Sequence, residues 1–359
     1  MNAKMKRNFL RILLLVVSLV VIAGCGSKQS GEDNGEESKD NNANKQEAAV
    51  EGDGDEVLIK LAHHHAVDSI IDQVANQIAD TVEENSNGNL KIEVFPGGQL
   101  GEERELITGL DMGTIDMAMV SPSIMDDYDP IFGIDTLPFI FEDGEHVARS
   151  FEGEVGEELK NILLEKSNIQ IKGFIIFGAR QMFTNTEVAN LDDFEKLKIR
   201  SPESWVFTRM FELLNANPTP IAFGEAYTAI QTGVVHGMEV PPSMALDLNL
   251  DEVATDVALT DHIFGSMSVS MNNDLYEGLS DEQKNILDEA ISETVAYFNS
   301  DVIPEEEQAA LEQLEEGGIT ITEVEDIDDW RAAVEPMYEE FEERAPGAEK
   351  LIEMINDLK

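Results

Sequence analysis

The chain holds one cysteine, Cys25, in 359 residues. That leaves no disulfide framework and no thiolate cage for a metal. Basic side chains are also sparse: 24 lysines and arginines stand against 73 aspartates and glutamates, a formal charge of −49. Such a field repels nucleic acid and anionic membrane surfaces, so neither is an expected partner. There is no glycine-rich phosphate loop, no Gly-x-Ser-x-Gly elbow and no nucleophilic cysteine in the folded part. The usual sequence signals of an enzyme are therefore missing, and neither catalysis nor a cofactor is expected. Acidic pairs such as Glu102-Glu103 and Asp192-Asp193 are what so acidic a chain places on solvated faces.

Leu10 to Ala23 is apolar, but its core is too short for a membrane span. Lys4, Lys6, Arg7 and Arg11 make it the middle of a signal peptide, residues 1–25. Ile22-Ala23-Gly24-Cys25 then has the form of a lipobox, so Cys25 is the expected lipidation site. Residues 26–55 are polar and glycine-dotted, cannot bury a core, and read as an acidic tether. The protein is thus expected outside the cytoplasm, held to the outer face of the membrane by lipid and folded from about residue 56.

From there the pattern is α/β. Val57–Ala62, 90–95 and 115–120 read as strands, and the segments between them carry apolar residues at helical spacing. That order predicts parallel strands with helices on both faces. A helix over 151–167 leads to the apolar run Gly173–Ala179. Ser201-Pro202 opens another helix, Asn217-Pro-Thr-Pro-Ile reads as an extended link, and 223–232 is a helix closed by Gly233. Strand-like runs at 253–259 and 262–271 precede a mostly helical end, with helices at 281–299, 305–315 and 325–343 around the short strand 319–322.

In so acidic a chain an anionic ligand needs local cations. Beyond residue 25 the arginines are Arg104, Arg149, Arg180, Arg200, Arg209, Arg331 and Arg344. Arg180 and Arg200 each close a short apolar run, and so stand at strand ends, where open α/β sheets hold ligands. A guanidinium there can take a carboxylate through two parallel hydrogen bonds. The alternative for each is an ordinary ion pair. Arg209, further along the helix after Arg200, reads as lying on a solvated face.

With PGGQLG at 96–101, KLKIRSP at 196–202 and IAFGEAYTAIQTGVVHGME at 221–239, the chain resembles the solute-binding proteins of TRAP (tripartite ATP-independent) transporters, DctP type, over about residues 56–345. The resemblance implies a periplasmic-binding-protein-like α/β fold: two lobes, a ligand cleft between them and a long connecting helix. Lobe I would comprise 56–177 with about 266–305, and lobe II 178–265 with about 306–359. It also implies a monomer that catches a small organic acid, a sugar acid ahead of a C4-dicarboxylate, and passes it to the membrane subunits of a sodium-coupled TRAP permease. On the matching positions, Arg200 would make the paired salt bridge to the carboxylate, with Arg180 near it and Phe223 packed against the ligand. His64, Glu103 and Ser121 would touch its far end. Where many members read Asp-Gly-Gln-Glu-Asn-Pro, this chain reads His236-Gly237-Met238-Glu239-Val240-Pro241. Glu239 and Val240 thus fall at the site, with Val240 replacing an asparagine donor.

Two further features stand apart from the motifs. His63-His64-His65 offers an alternative, zinc capture by an exported lipoprotein. Strand alternation would let only His63 and His65 share a face, and a metal site needs further ligands, so no metal is expected there. Trp205 lies within one turn of Arg200 and is a candidate for the ligand wall, whereas Phe207 and Phe211 read as core.

Cys25→Ser should leave the protein either unprocessed or released from membranes, with its fold intact. Membrane fractionation checks this, and signal-cleaved Cys25→Ser protein that stayed membrane-bound would rule out the lipobox.

Overall fold

The structure, a computed structural model, describes residues 56–359. The signal peptide, Cys25 and the tether lie outside the described residues. Among the described residues no helix is long and apolar enough to cross a membrane.

Eleven strands form two sheets. In chain order they are β1 (Val57–Ala62), β2 (Leu90–Phe95), β3 (Met117–Val120), β4 (Ile169–Ala179), β5 (Gln181–Thr184), β6 (Lys198–Ser201), β7 (Asn217–Pro220), β8 (Gly237–Val240), β9 (Asp256–Leu259), β10 (Phe264–Asn272) and β11 (Thr320–Glu323). The first sheet has the order β2-β1-β3-β10-β4 and the second β11-β9-β5-β8-β6-β7. β1 pairs in parallel with β2 and β3, as the alternating pattern over 57–120 predicts. The connecting helices follow from local chemistry. In Ile70–Asn85, Ser69 caps the first turn by accepting from the Asp72 amide, and Val74, Ile78 and Val82 are buried along one face. Helix Glu103–Met112 stops at Gly113, whose φ of 70° suits glycine. Asn217–Pro220, expected as a link, pairs with β6 at the sheet edge, where prolines lacking an N–H are tolerated.

Each sheet belongs to one lobe of a two-lobe fold, and among the described residues three connections link strands of one sheet to strands of the other. It goes from β4 to β5 through Arg180, and from β9 to β10 through residues 260–263. The third crossing is helical. The segments expected as separate helices at 281–299 and 305–315 are joined: Asp281–Tyr297 runs through a π-turn, Phe298–Val302, into Ile303–Gly317. One end packs on helix Ile70–Asn85 beside the first sheet, and the other on helix Pro242–Asp247 beside the second. The last helix, Ala348–Asn356, returns to helix Glu154–Lys166 on the first sheet's side.

The π-turn is pinned to the outer edge of β4. Asn299 Oδ1 accepts from the Ile176 amide and its Nδ2 donates to the Phe174 carbonyl, both at 2.9 Å. A π-turn frees such a side chain from the helix's own spacing. Asn299→Ala leaves both backbone groups without these partners and should lower unfolding free energy by about 1–3 kcal/mol. Urea denaturation checks this against Ser300→Ala at the exposed neighbouring position, where the expected change is within about 0.5 kcal/mol. Equal small changes would mean that Asn299 does not hold the turn.

Candidate functional site

Strand ends converge on one cavity. From the first sheet come His64 and His65 after β1 and Ser121 after β3; from the second come Arg200 and Pro202 at the end of β6. The carboxyl ends of parallel strands are where open α/β sheets leave room for ligands. Glu103, in the first turn of its helix, lines the cavity and accepts from the Ser121 amide at 2.7 Å, tying helix start to strand end.

Two guanidinium groups are buried on this cavity, and they differ in one respect. Arg180 is held by Glu239: its Nε donates to Oε2, and its Nη2 donates at 3.0 Å to both Oε1 and the Glu239 carbonyl. Glu239 is fully buried, so the pair is desolvated as well as hydrogen-bonded. His262 stands behind it, with Nε2 3.9 Å from Glu239 Oε2. Burial, together with the Arg180 charge, pushes the His262 ring down to about 3, so it is neutral. Arg200 is 4% exposed and donates its Nε to the Ile221 carbonyl at 2.8 Å. Among the described residues it makes no salt bridge. Burial lowers its guanidinium to about 10, and Arg180 adds to the lowering against the opposing pull of Glu239. Arg200 is thus a buried cation whose fork is open to the cavity.

Phe223 forms the wall beside it, with the Arg200 Cζ 5.8 Å from the ring centre. The same ring packs on His64 and His65, at centroid distances of 5.3 and 5.0 Å. Strand alternation would have paired His63 with His65, but β1 ends at Ala62 and the run lies in the following turn. His64 and His65 both face the cavity, 4.3 Å apart, while His63 turns inward to Asp72 at 3.2 Å. Deeper in, Asp135 accepts from the hydroxyl of Ser266, a cavity residue, at 3.2 Å. Burial pushes the Asp135 carboxyl up to about 7.

Of the residues singled out in the sequence, Arg200, Arg180, Phe223, His64, Glu103 and Ser121 line this cavity. Three do not. Trp205 points the other way and stacks on Phe341 at 6.5 Å, with Arg344 over its ring. Two positions along a helix turn a side chain through about 200°, and so Phe207, in the core as expected, also borders the cavity and lies under Arg180. Val240 is fully buried in the apolar core, facing away with the alternation of β8. Glu239 does not line the cavity; it reaches it only through Arg180. Arg209 is part-exposed, as expected of a solvated face, and ion-paired there: its Nε and Nη2 each donate to Glu340 at 2.6 Å. Sequence reasoning missed Ser123, Thr136 and Ser266 as cavity residues. They carry no local motif, and only the sheet topology brings β10 beside β3.

Residues 61–344 match the family model described as bacterial extracellular solute-binding protein, family 7 (DctP). The chain is 31% identical over 303 residues to the C4-dicarboxylate-binding periplasmic protein DctP of Rhodobacter capsulatus, covering 82% of this chain and 89% of that one. It is also similar to a TRAP periplasmic solute-binding protein from Sulfitobacter sp. NAS-14.1 with bound β-D-galacturonate (27% identity, TM-score 0.80, 83% and 99% of the two chains). A third likeness is to the sugar acid binding protein DctPAm of Advenella mimigardefordensis in complex with galactonate (26% identity, TM-score 0.81, 86% and 100%).

The two arginines should part company in ligand-free protein. Arg180→Met leaves Glu239 buried without its cation and should cost about 3–5 kcal/mol. Arg200→Met removes an unpaired buried charge, and stability should hold or rise. Urea midpoints of protein refolded free of ligand check this; a loss at Arg200 as large as that at Arg180 would mean that the protein itself neutralises Arg200.

Proposed function

The chain belongs to the family 7 bacterial extracellular solute-binding proteins, and from that premise we propose that it is the extracytoplasmic receptor of a TRAP transporter. It binds a small sugar acid with the carboxylate on Arg200, closes its cleft, and delivers the acid to a sodium-coupled permease. It does so as a monomer tethered to the outer face of the membrane through Cys25. The observation that carries this is the buried guanidinium of Arg200, open to a cavity and making no salt bridge among the described residues. A ligand carboxylate supplies the missing charge and two hydrogen bonds at once.

A sugar acid is favoured over a C4-dicarboxylate by what faces Arg200. Arg180 is already paired, so among the described residues the cavity offers one open cation. Glu103 adds a carboxylate that would repel a second acid group, while Ser121, Ser123 and Thr136 offer hydroxyls to a polyol. The galacturonate and galactonate bound by the two structural relatives support this reading; the dicarboxylate named for the R. capsulatus relative is the competitor. Zinc capture finds no support. His63 is engaged by Asp72, and among the described residues no group of three or more His, Cys, Asp or Glu side chains is disposed to hold a metal.

Truncating one partner of a desolvated charge pair costs on the order of 2–5 kcal/mol. At about 1.4 kcal/mol per decade, Arg200→Ala should weaken binding of the best acid by roughly thirty-fold to several thousand-fold. Arg200→Lys should recover part of it, since it keeps the charge without the fork. Calorimetry in the presence of a chelator measures both, with Arg209→Ala as the control that alters stability but not affinity. Equal small losses at Arg200 and Arg209 would remove the anchor, and loss of binding on chelation would revive the metal alternative.

A further inference from the structure

Among the described residues, His65 is the one side chain on the cavity whose polar atoms are both buried and both idle. It is 2% exposed, and neither Nδ1 nor Nε2 has a hydrogen-bond partner. Buried polar groups are rarely left so in a finished site, and this ring lies on the cavity wall, between Phe177 and Phe223. The charged and titratable groups around it are His63, His64 and Arg180, and with burial they hold its pKa well below the ordinary 6.5. The ring is neutral: one nitrogen donates and the other accepts.

Resting on the sugar-acid reading of this site, we propose that His65 is a specificity-determining residue for the far end of the ligand, and that it pairs with the hydroxyls of the acid's chain. Arg200 and His65 flank the same Phe223 ring, at 5.8 and 5.0 Å from its centre. A ligand lying along that ring has its carboxylate at one end and its hydroxyls at the other. A hydroxyl both donates and accepts, and so serves either face of a neutral imidazole. Discrimination against a second carboxylate falls to Glu103, on the same cavity, whose own charge repels it. That of His65 follows from the general asymmetry of polar pockets: a site built to pair with a hydroxyl discriminates strongly against an analogue without it, because its own groups stay unpaired.

The test measures D-galacturonate, D-glucuronate, L-gulonate and the short acid D-glycerate, which keeps the carboxylate but not the far end. Proteins compared are wild type, His65→Leu, His65→Gln and Arg200→Ala, each checked for an unchanged ligand-free melting curve. His65→Leu should weaken the tightest six-carbon acid by about 5- to 150-fold and leave glycerate unchanged. His65→Gln, with one donor and one acceptor, should restore most of the loss. An undiminished six-carbon acid in His65→Leu, or an equal loss for glycerate, overturns the role of His65. If at the same time Arg200→Ala abolishes all binding, the receptor reading stands and only this inference fails. If Arg200→Ala binds normally, or wild type binds none of the four acids, the reading beneath it fails too.

Discussion

A buried cation is costly unless a counter-charge is buried with it, and this cleft buries two while supplying a carboxylate to only one. Glu239 satisfies Arg180 at the crossing from β4 to β5. Arg200, a strand away, has a backbone carbonyl and an aromatic face but no acid. The first pair holds the crossing; the second charge is left open on the cavity, where the proposed carboxylate would complete it. The division is geometric. Arg180 sits across from β8, where antiparallel pairing sets Gln181 opposite Val240 and brings Glu239 into reach. Arg200 sits on β6, parallel to β8 and displaced from Glu239 in register.

The same contacts connect the site to the elements that join the two sheets. Arg180 is itself the link from β4 to β5, and its amide donates to the Ile263 carbonyl of the second crossing at 2.9 Å. The long helix touches both sides. Asn299 grips β4, and Glu307 accepts from the Ser243 amide and hydroxyl at 3.1 and 2.5 Å, at the start of the helix that carries Met244 on the cavity. Burial raises the Glu307 pKa, a sign that this contact, too, is largely out of water. A shift of either lobe would be felt by residues that line the ligand space.

A chain of charge −49 repels at long range the acids proposed as its ligands. The surface field acts at long range and is screened by salt over about 10 Å. Inside the cleft the local pair of guanidinium groups and the neutral rings of His65 and His262 set the potential. Burial keeps those rings uncharged, so they add no charge of their own to the potential there.

The sequence by itself determined a good deal. Apolar periodicity and turn residues are local, and they were enough to give the β-α-β-α-β opening. The motif around Arg200 and the stretch carrying Phe223 were enough to point to both wall elements, because each is contiguous. What lay beyond the sequence was orientation. Whether Trp205 or Phe207 faces the ligand depends on how one short helix is rotated against helix Pro336–Arg344, more than a hundred residues away. Whether His64 or His63 joins His65 depends on where β1 stops pairing. Serines such as Ser266 enter the wall only because β10, late in the chain, inserts between β3 and β4. And that Arg180 is already paired while Arg200 is open could be decided only by the register of β5 against β8, a contact between distant segments that no local pattern encodes.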